Sequence, residues 1–499
     1  MNITLQKGGA SEEAGLKRSL GLKESISMTI GTVVGVGLFT CGSAQIGAMG
    51  PWIIVATAIS LLISIWPCLL YGEMGAALPF AGGTYNYAKY GANRTLANIA
   101  GWNYIVAVIA ICSGETLAFS NYFTILLEAV GIDISFVDPR IIACILVFAF
   151  IVLNYKGIQI AGKWQNIFVF FFWGCSVLWF IYMFPQIHFS YFTDTSALSF
   201  PAFGDFMYIL GLVWWCYTGF ETAVSMGGEV KFPQITLPRA LKISVFLVFA
   251  CNALFQWFLV GLVPSTFYPD LLIAVAPYAD GLKMAGLVGA PIIILCIGIA
   301  FGGDLSTINP GVAAPARYVY TMAQDKTLPN IFAKTHPKFD TPHTAIILVG
   351  IINFLLIATN SINYIASVSL FSLLVCYMIG CISYIGLKKK EPDMNRPYKA
   401  PAGVFGAIIT IAIYTVLLFF VDTAALITGI VITILSIIYY FAFTKKTAVD
   451  DMSIQDEVCK IEVPTEEEKA ALDKEYNIWK YATIAVTIIS FALYIVPML

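Results

Sequence analysis

Charge is scarce in this chain. Asp, Glu, Lys and Arg make up 12% of its 499 residues, 59% are hydrophobic, and the mean hydropathy is +0.82. A soluble domain carries about a quarter charged residues, so a water-soluble fold is excluded. Histidine is rarer still. His188, His336 and His343 fall in loops or at the edges of apolar runs, which leaves metal-based or histidine-based catalysis without a home. The eleven cysteines contain no C-x-x-C pair, so neither a zinc site nor a disulfide framework is indicated. No G-x-x-x-x-G-K-[ST] loop occurs, which argues against ATP-driven pumping. No small-residue cleavage site follows the first apolar run, so a removable signal peptide is not expected. No cofactor, bound metal or nucleic-acid partner is expected.

What the chain has is long apolar runs, each able to cross a bilayer core of about 30 Å as a helix. They are too long and too uniformly apolar for barrel strands. The hydropathy predicts an all-α polytopic membrane protein with spans near 25–47, 52–78, 98–128, 139–154, 164–184, 206–228, 241–263, 286–318, 343–358, 362–386, 404–421 and 424–443, and a thirteenth over 481–499. With that count, only Arg140 and Lys283 of the 28 Lys and Arg fall on one side. The positive-inside rule then makes the N-terminus cytoplasmic and places the protein in the cell membrane.

Glycines interrupt two spans. "IGTVVGVGLFTCG" (30–42) holds Gly31, Gly35, Gly37 and Gly42, and "LVWWCYTGFETAVSMGGEV" (212–230) holds Gly219, Gly227 and Gly228 around Glu221. The two lie five spans apart. Five-span units have opposite topologies, and helices interrupted at matching places in two halves point to a transporter's midplane site. Freed amides at one break suit an anion, and freed carbonyls at the other suit an ammonium. Glycine allows strained backbone and close approach of a ligand. Gly31-x-x-x-Gly35 also fits plain helix packing, and that reading stays open.

Several segments then resemble the amino acid–polyamine–organocation permeases: "GTVVGVGLF" (31–39), "GEMGAALPFAGGTYNYAKYG" (72–91), "GFETAVSMGGEVKFPQITLPRA" (219–240), "ARYVYTMAQDKTLPNIFAKTHPKFDTPHTAI" (316–346) and "RPYKAP" (396–401). The resemblance covers about 20–443. It implies a LeuT-like five-plus-five inverted repeat, alternating access and a small amine-bearing substrate. The domains would be a cytoplasmic segment 1–24, repeats over 25–200 and 201–390, spans 11 and 12 over 391–443, an acidic linker 444–480 and the extra span 481–499. The amides of Gly35, Val36 and Gly37 would take a carboxylate. Carbonyls around Cys216, Tyr217, Thr218 and Gly219, with those near Ile30, would take an ammonium, and Trp215 would gate the site. Two departures stand out. Val36 replaces a serine common in the family, and no lysine lies inside span 5, where the corresponding position falls near Phe172.

Three carboxylates lie deep in spans with no mid-span cation beside them: Glu115, Glu221 and Asp304. A charge there costs about 2.5–3.5 kcal/mol on the mildest scale, so substrate, ion or proton is the natural partner. Glu221 follows the second break. Asp304 precedes Ser306 and Thr307, whose hydroxyls could frame sodium. Glu73, Glu229, Arg239 and Arg317 read as gate charges at cytoplasmic span ends, with a solvated edge as the bland alternative. The aromatics read as mostly lipid-facing. Thr465 and Glu468 form a capping box that starts a short helix before the last span. The leading function is amino acid transport by proton symport or exchange. A polyamine or other organic-cation carrier of the same fold is the alternative.

Overall fold

The computed structural model describes residues 16, 18–35, 37–134, 136–194, 200–446 and 462–495. Val36 and parts of the N-terminal segment, the linker and the last span lie outside them. Every regular element among these residues is helical, and extended backbone pairs only at two isolated bridges, Leu20 with Val230 and Ala81 with Met226.

The helices on the predicted spans are α1 (Leu22–Val33), α2 (Ile53–Ala77), α3 (Arg94–Ala129), α4 (Pro139–Tyr155), α5 (Ile158–Met183), α6 (Phe203–Trp215), α7 (Pro233–Leu262), α8 (Leu305–Gln324), α9 (His343–Ile357), α10 (Ile362–Lys390), α11 (Gly403–Leu418), α12 (Thr423–Tyr439) and α13 (Glu466–Ile495). Helix Ala290–Gly298 leads into α8 through a π-helical turn, Ile299–Asp304. Nine described helices are long and apolar enough to cross a membrane, and α4, α6, α9 and α11 are shorter apolar helices. Their starts follow local chemistry. Asn93 accepts from the Leu96 amide at the head of α3, Asp138 with Pro139 opens α4, and Asp422 caps α12.

Three helices begin earlier than hydropathy predicts. α5 starts at Ile158, α7 at Pro233, and α13 at Glu466, where the Thr465–Glu468 capping box forms but the helix runs on to Ile495. Backbone hydrogen bonding needs no apolar side chain, so a first turn with Gln159, with Gln234 or with Glu466 to Glu468 hides a helix start from hydropathy alone. A separate short helix before the last span is therefore not observed.

α2 packs on α7, α3 on α8, α4 on α9, and α1 on the short helix Glu221–Ser225 that continues α6. α13 lies along α7: Phe491 stacks on Phe249 at 4.6 Å, the Trp257 indole donates to the Leu493 carbonyl at 2.9 Å, and Arg239 pairs with Asp473. The aromatics are more internal than predicted. Trp179, Trp214 and Trp257 are fully buried, as are Tyr71, Tyr87, Tyr104 and Tyr122. Large rings fill gaps between helices that smaller side chains would leave void. The two cations on the sparse side each meet an acid there, Arg140 with Asp138 and Lys283 with Glu128 at 3.2 Å. The Arg140 hydrogen bonds hold the Asp138 carboxyl down at about 2, so it stays ionised.

Close approaches depend on missing side chains. A Cβ on Gly91, at the end of helix Gly83–Gly91, would run into the Ser383 carbonyl of α10, whereas one on Gly174 would meet nothing within 4 Å. Gly91→Ala is therefore expected to lose about 1–3 kcal/mol to overpacking. Gly174→Ala should be neutral or gain up to about 1 kcal/mol of helix propensity. Thermal unfolding of the two variants in detergent checks the contrast; equal melting temperatures would contradict it.

Candidate functional site

α1 loses its winding at Val34–Gly35 and resumes as a π-helical stretch, Gly37–Gly42. None of the four predicted glycines there adopts positive φ, so backbone strain does not explain them. Each makes room for a neighbouring segment. A Cβ on Gly31 would strike the Gln165 amide of α5. On Gly35 it would strike the Glu115 carboxyl of α3 and the Thr307 hydroxyl of α8. On Gly37 and Gly42 it would meet Cys216. The Ile30 carbonyl accepts from the Val34 amide at 2.8 Å, and the Gly31 carbonyl accepts from the Thr307 hydroxyl at 2.6 Å. Side chains thus take up peptide groups that the break releases.

α6 ends at Trp215, and the chain is irregular until Glu221. Cys216, Tyr217 and Thr218 donate their amides three residues back. Gly219 then turns at φ +104°, a conformation that favours glycine, and its amide donates to the Tyr377 hydroxyl at 3.2 Å. The Tyr217 hydroxyl points away to the Thr57 carbonyl of α2, at 2.9 Å.

Between the two breaks lies a closed cavity of about 10 Å³, the size of one water. Thr32, Val33, Gly35 and Gly37 line it from the first break, Trp215 and Thr218 from the second, and Ile111, Glu115 and Thr307 from α3 and α8. The Trp215 indole donates to Ser369 of α10 at 3.2 Å, so the ring bridges α6 and α10 at the cavity wall. Ile30, Cys216, Tyr217, Gly219, Glu221, Asp304 and Ser306 are outside this lining. Val36 is not among the described residues.

Asp304 ends the π-helical turn before α8 and meets Glu115 carboxyl to carboxyl. Both are fully buried. The Ser306 hydroxyl donates to the Gly303 carbonyl at 2.7 Å. Gln165 is the residue that sequence reasoning missed. Its amide donates to the Ser27 carbonyl of α1 at 3.0 Å and to the Ser306 carbonyl of α8 at 2.8 Å, while its oxygen accepts from Asn309 at 2.8 Å. Phe172, taken from the sequence as the corresponding α5 position, packs among Phe39 and Phe255 and against Gly302 and Gly303 of the turn before α8. Gln165 and Phe172 are seven residues apart, two helical turns on one face. Periodicity selects that face but not the depth.

Glu221 faces the other way. Its carboxylate accepts from the Thr84 amide at 2.9 Å, from the Thr84 and Tyr318 hydroxyls, and from Cys376. Thr84 opens helix Gly83–Gly91 behind the Gly82–Gly83 pair, a double glycine inside a segment already singled out. Beyond Glu221 the chain is sealed. Arg317 and Glu229 form a fully buried two-pronged pair at 2.8 and 2.9 Å, the Glu229 carbonyl accepts from the amides of Ser19 and Leu20, and Arg18 donates to the carbonyls of Gly227 and Val230. These gate charges are not a solvated edge. Glu73 is buried too, bonded to Tyr384, the Ala400 amide and Lys388. At the opposite ends of the same helices a cavity of about 710 Å³ opens, walled by Thr40, Gln45, Asn121, Leu212 and Ser367.

An interrupted helix pair around a small cavity, wide on one side and sealed on the other, is the anatomy of a carrier. The family model for amino acid permeases matches residues 20–443. The chain belongs to that family; it is a multi-pass membrane transporter and not an enzyme. It is similar to the branched-chain amino acid permease BcaP of Bacillus subtilis, at 22% identity over 87% of this chain and 95% of that permease. It is similar at 25% identity, over the same shares, to the methylthioribose transporter of that organism. The aspartate-proton symporter of B. subtilis is 27% identical over 78% of this chain and 76% of its own length.

Gln165 gives the sharpest test of how the breaks are held. Gln165→Leu keeps the volume roughly but strips donors from the Ser27 and Ser306 carbonyls and an acceptor from Asn309. Leaving such groups unmet costs about 1–3 kcal/mol each. A clear fall in melting temperature is expected, and Gln165→Glu should fall less than Gln165→Leu only if protonated. An unchanged melting temperature for Gln165→Leu would show that the tether is idle.

Proposed function

We propose that this permease is a secondary active transporter that moves amino acids across the cell membrane by alternating access. The observation that carries the reading is the cavity between the two breaks, with Glu115 and Thr307 in its wall, a wide opening on one side and a buried seal on the other. One water's volume holds no amino acid, so binding requires α1 and the α6 break to part from α3 and α8. Within the pocket, Glu115 is suited to an ammonium. The amides from Gly35 to Gly37, Val36 included, and the carbonyls of Ile30, Cys216, Tyr217, Thr218 and Gly219 are assigned the substrate's backbone groups, and Trp215 the gate.

The pairing of α1 with Glu221–Ser225, α2 with α7, α3 with α8 and α4 with α9 supports the five-plus-five repeat over 25–200 and 201–390, followed by two spans and a thirteenth. The crowding of Lys and Arg toward the sealed side supports a cytoplasmic N-terminus.

Proton coupling is favoured over sodium. The carbonyls that could ligate a cation between α1 and α8 already accept from Gln165 and Thr307. Glu115 and Asp304 are neighbouring buried acids, and like charges side by side in an apolar surround favour a proton on one of them. That pair is assigned the proton, and Glu221 the link between proton, substrate and the cytoplasmic seal. The names of the relatives at hand pair a permease for branched-chain amino acids with an aspartate-proton symporter, which agrees with this assignment. The methylthioribose transporter shows that substrates in the family vary. Glu115 in the cavity wall also keeps a polyamine as the second reading.

Purified protein screened by thermal shift against amino acids and amines, with and without sodium, tests the substrate class. Stabilisation by putrescine and by no α-amino acid would replace the first reading with the second. In liposomes, counterflow of the stabilising solute is expected and a channel would give none. Asp304→Asn and Glu221→Gln should lower uptake at least tenfold or flatten its dependence on pH between 5 and 8. Uptake with an unchanged pH profile in both would refute the proton assignment. Trp215→Ala should impair turnover more than folding, read as a larger loss of uptake than the fall in melting temperature accounts for.

A further inference from the structure

Away from the cavity between the breaks, α2, α7 and α13 enclose a second one of about 400 Å³. Ile65 and Leu69 of α2, Phe246 of α7, and Ile484 and Ile488 of α13 make its walls apolar. Ile484 and Ile488 are 45% and 62% exposed, so the groove is open to the surroundings of the helices. Two lysines line it as well, Lys242 on α7 and Lys480 on α13. Among the described residues neither makes an ion pair within 4.0 Å; the Lys242 ammonium rests 3.9 Å from the Tyr398 ring centre and that of Lys480 5.8 Å from the Tyr481 ring centre. The nearby Asp473 is taken by Arg239.

We propose that this groove is a binding site for an anionic phospholipid of the leaflet on the lysine-rich side, its phosphate between Lys242 and Lys480 and an acyl chain along the isoleucines. Apolar walls open to the bilayer call for hydrocarbon, and two ammonium groups without a carboxylate call for a phosphate. Basic pockets between helices near the cytoplasmic surface meet both demands at once. A free phosphate would leave the apolar walls facing water, and a second protein chain would have to enter between helices already packed on one another. The site exists only while α13 lies against α7, so the bound lipid braces the extra span. The inference does not depend on which solute is carried.

The test uses the full-length protein, stripped of lipid in detergent and offered equal amounts of phosphatidylglycerol and phosphatidylcholine with identical chains, with retention read by native mass spectrometry. Wild-type protein is expected to retain phosphatidylglycerol preferentially. Each of Lys242→Gln and Lys480→Gln should cut that preference about fivefold, from about 1 kcal/mol per surface lysine. Equal retention of the two lipids by the wild type would overturn the proposal without recourse to any variant. So would an undiminished preference in the folded double variant, or displacement of the lipid by millimolar inorganic phosphate.

Discussion

A helix that stops winding inside an apolar surround must have its released peptide groups met by something other than water. Here the something is a set of side chains from α3, α5, α8 and α10, brought within reach because α1 carries no Cβ at the points of approach. Gln165, Thr307 and Tyr377 each bond backbone at or beside a break. The Tyr122 hydroxyl does the same for the Phe39 carbonyl at 2.6 Å. The breaks are therefore built features, tied to the helices around them. Any motion of the breaks against α3, α5, α8 and α10 has to exchange or break these bonds.

The two sides of the site are held by different physics. Toward the 710 Å³ cavity, the Trp215 indole in the small cavity's wall is held by its hydrogen bond to Ser369. Toward the seal stand the Glu221 network and the buried Arg317–Glu229 pair. A buried ion pair gains little net stability, because its attraction is offset by the loss of hydration, yet stripping one partner costs about 3–5 kcal/mol. Such a pair is firm while closed. It is also cheap to part if water enters as it opens, since both charges recover their hydration. A seal of aliphatic side chains would lack that second property, because opening would expose apolar surface.

The helical order was legible in the sequence because apolar runs are long and loops polar. The helix starts at Ile158, Pro233 and Glu466 were not, because polar residues in the first turns, Gln159, Gln234 and the acids Glu466 to Glu468, lower the local hydropathy. The position of the site was legible from the glycine clusters, though for a partly different reason than the sequence suggests: Gly219 is there for its backbone angle, while Gly31, Gly35 and Gly37 are there for their missing Cβ. Glu115, Asp304 and Glu221 stood out as carboxylates in spans without a mid-span Lys or Arg, but their neighbours did not. Thr84 opens a short helix, Gly83–Gly91, that hydropathy does not mark. Gln165 shares a helical face with Phe172, and only three-dimensional packing shows that Gln165 reaches the joint with hydrogen bonds and Phe172 with its ring.

That choice of residue at the joint bears on coupling. A glutamine amide offers two protons to the carbonyls of α1 and α8 and carries no charge, so it cannot be released by titration or exchanged for an ion in solution. The contact between α1 and α8 made through it is permanent in chemical terms, whatever the pH. On the proposed proton coupling, the step falls on groups whose bonding changes with proton occupancy, and beside the cavity Glu115 and Asp304 are assigned that part. Glu115 also lines the cavity itself, so an arriving ammonium and the proton held between the two acids compete for the same carboxyl. Charge balance in that small volume, more than any shape fit, is what ties the solute to the proton in this reading.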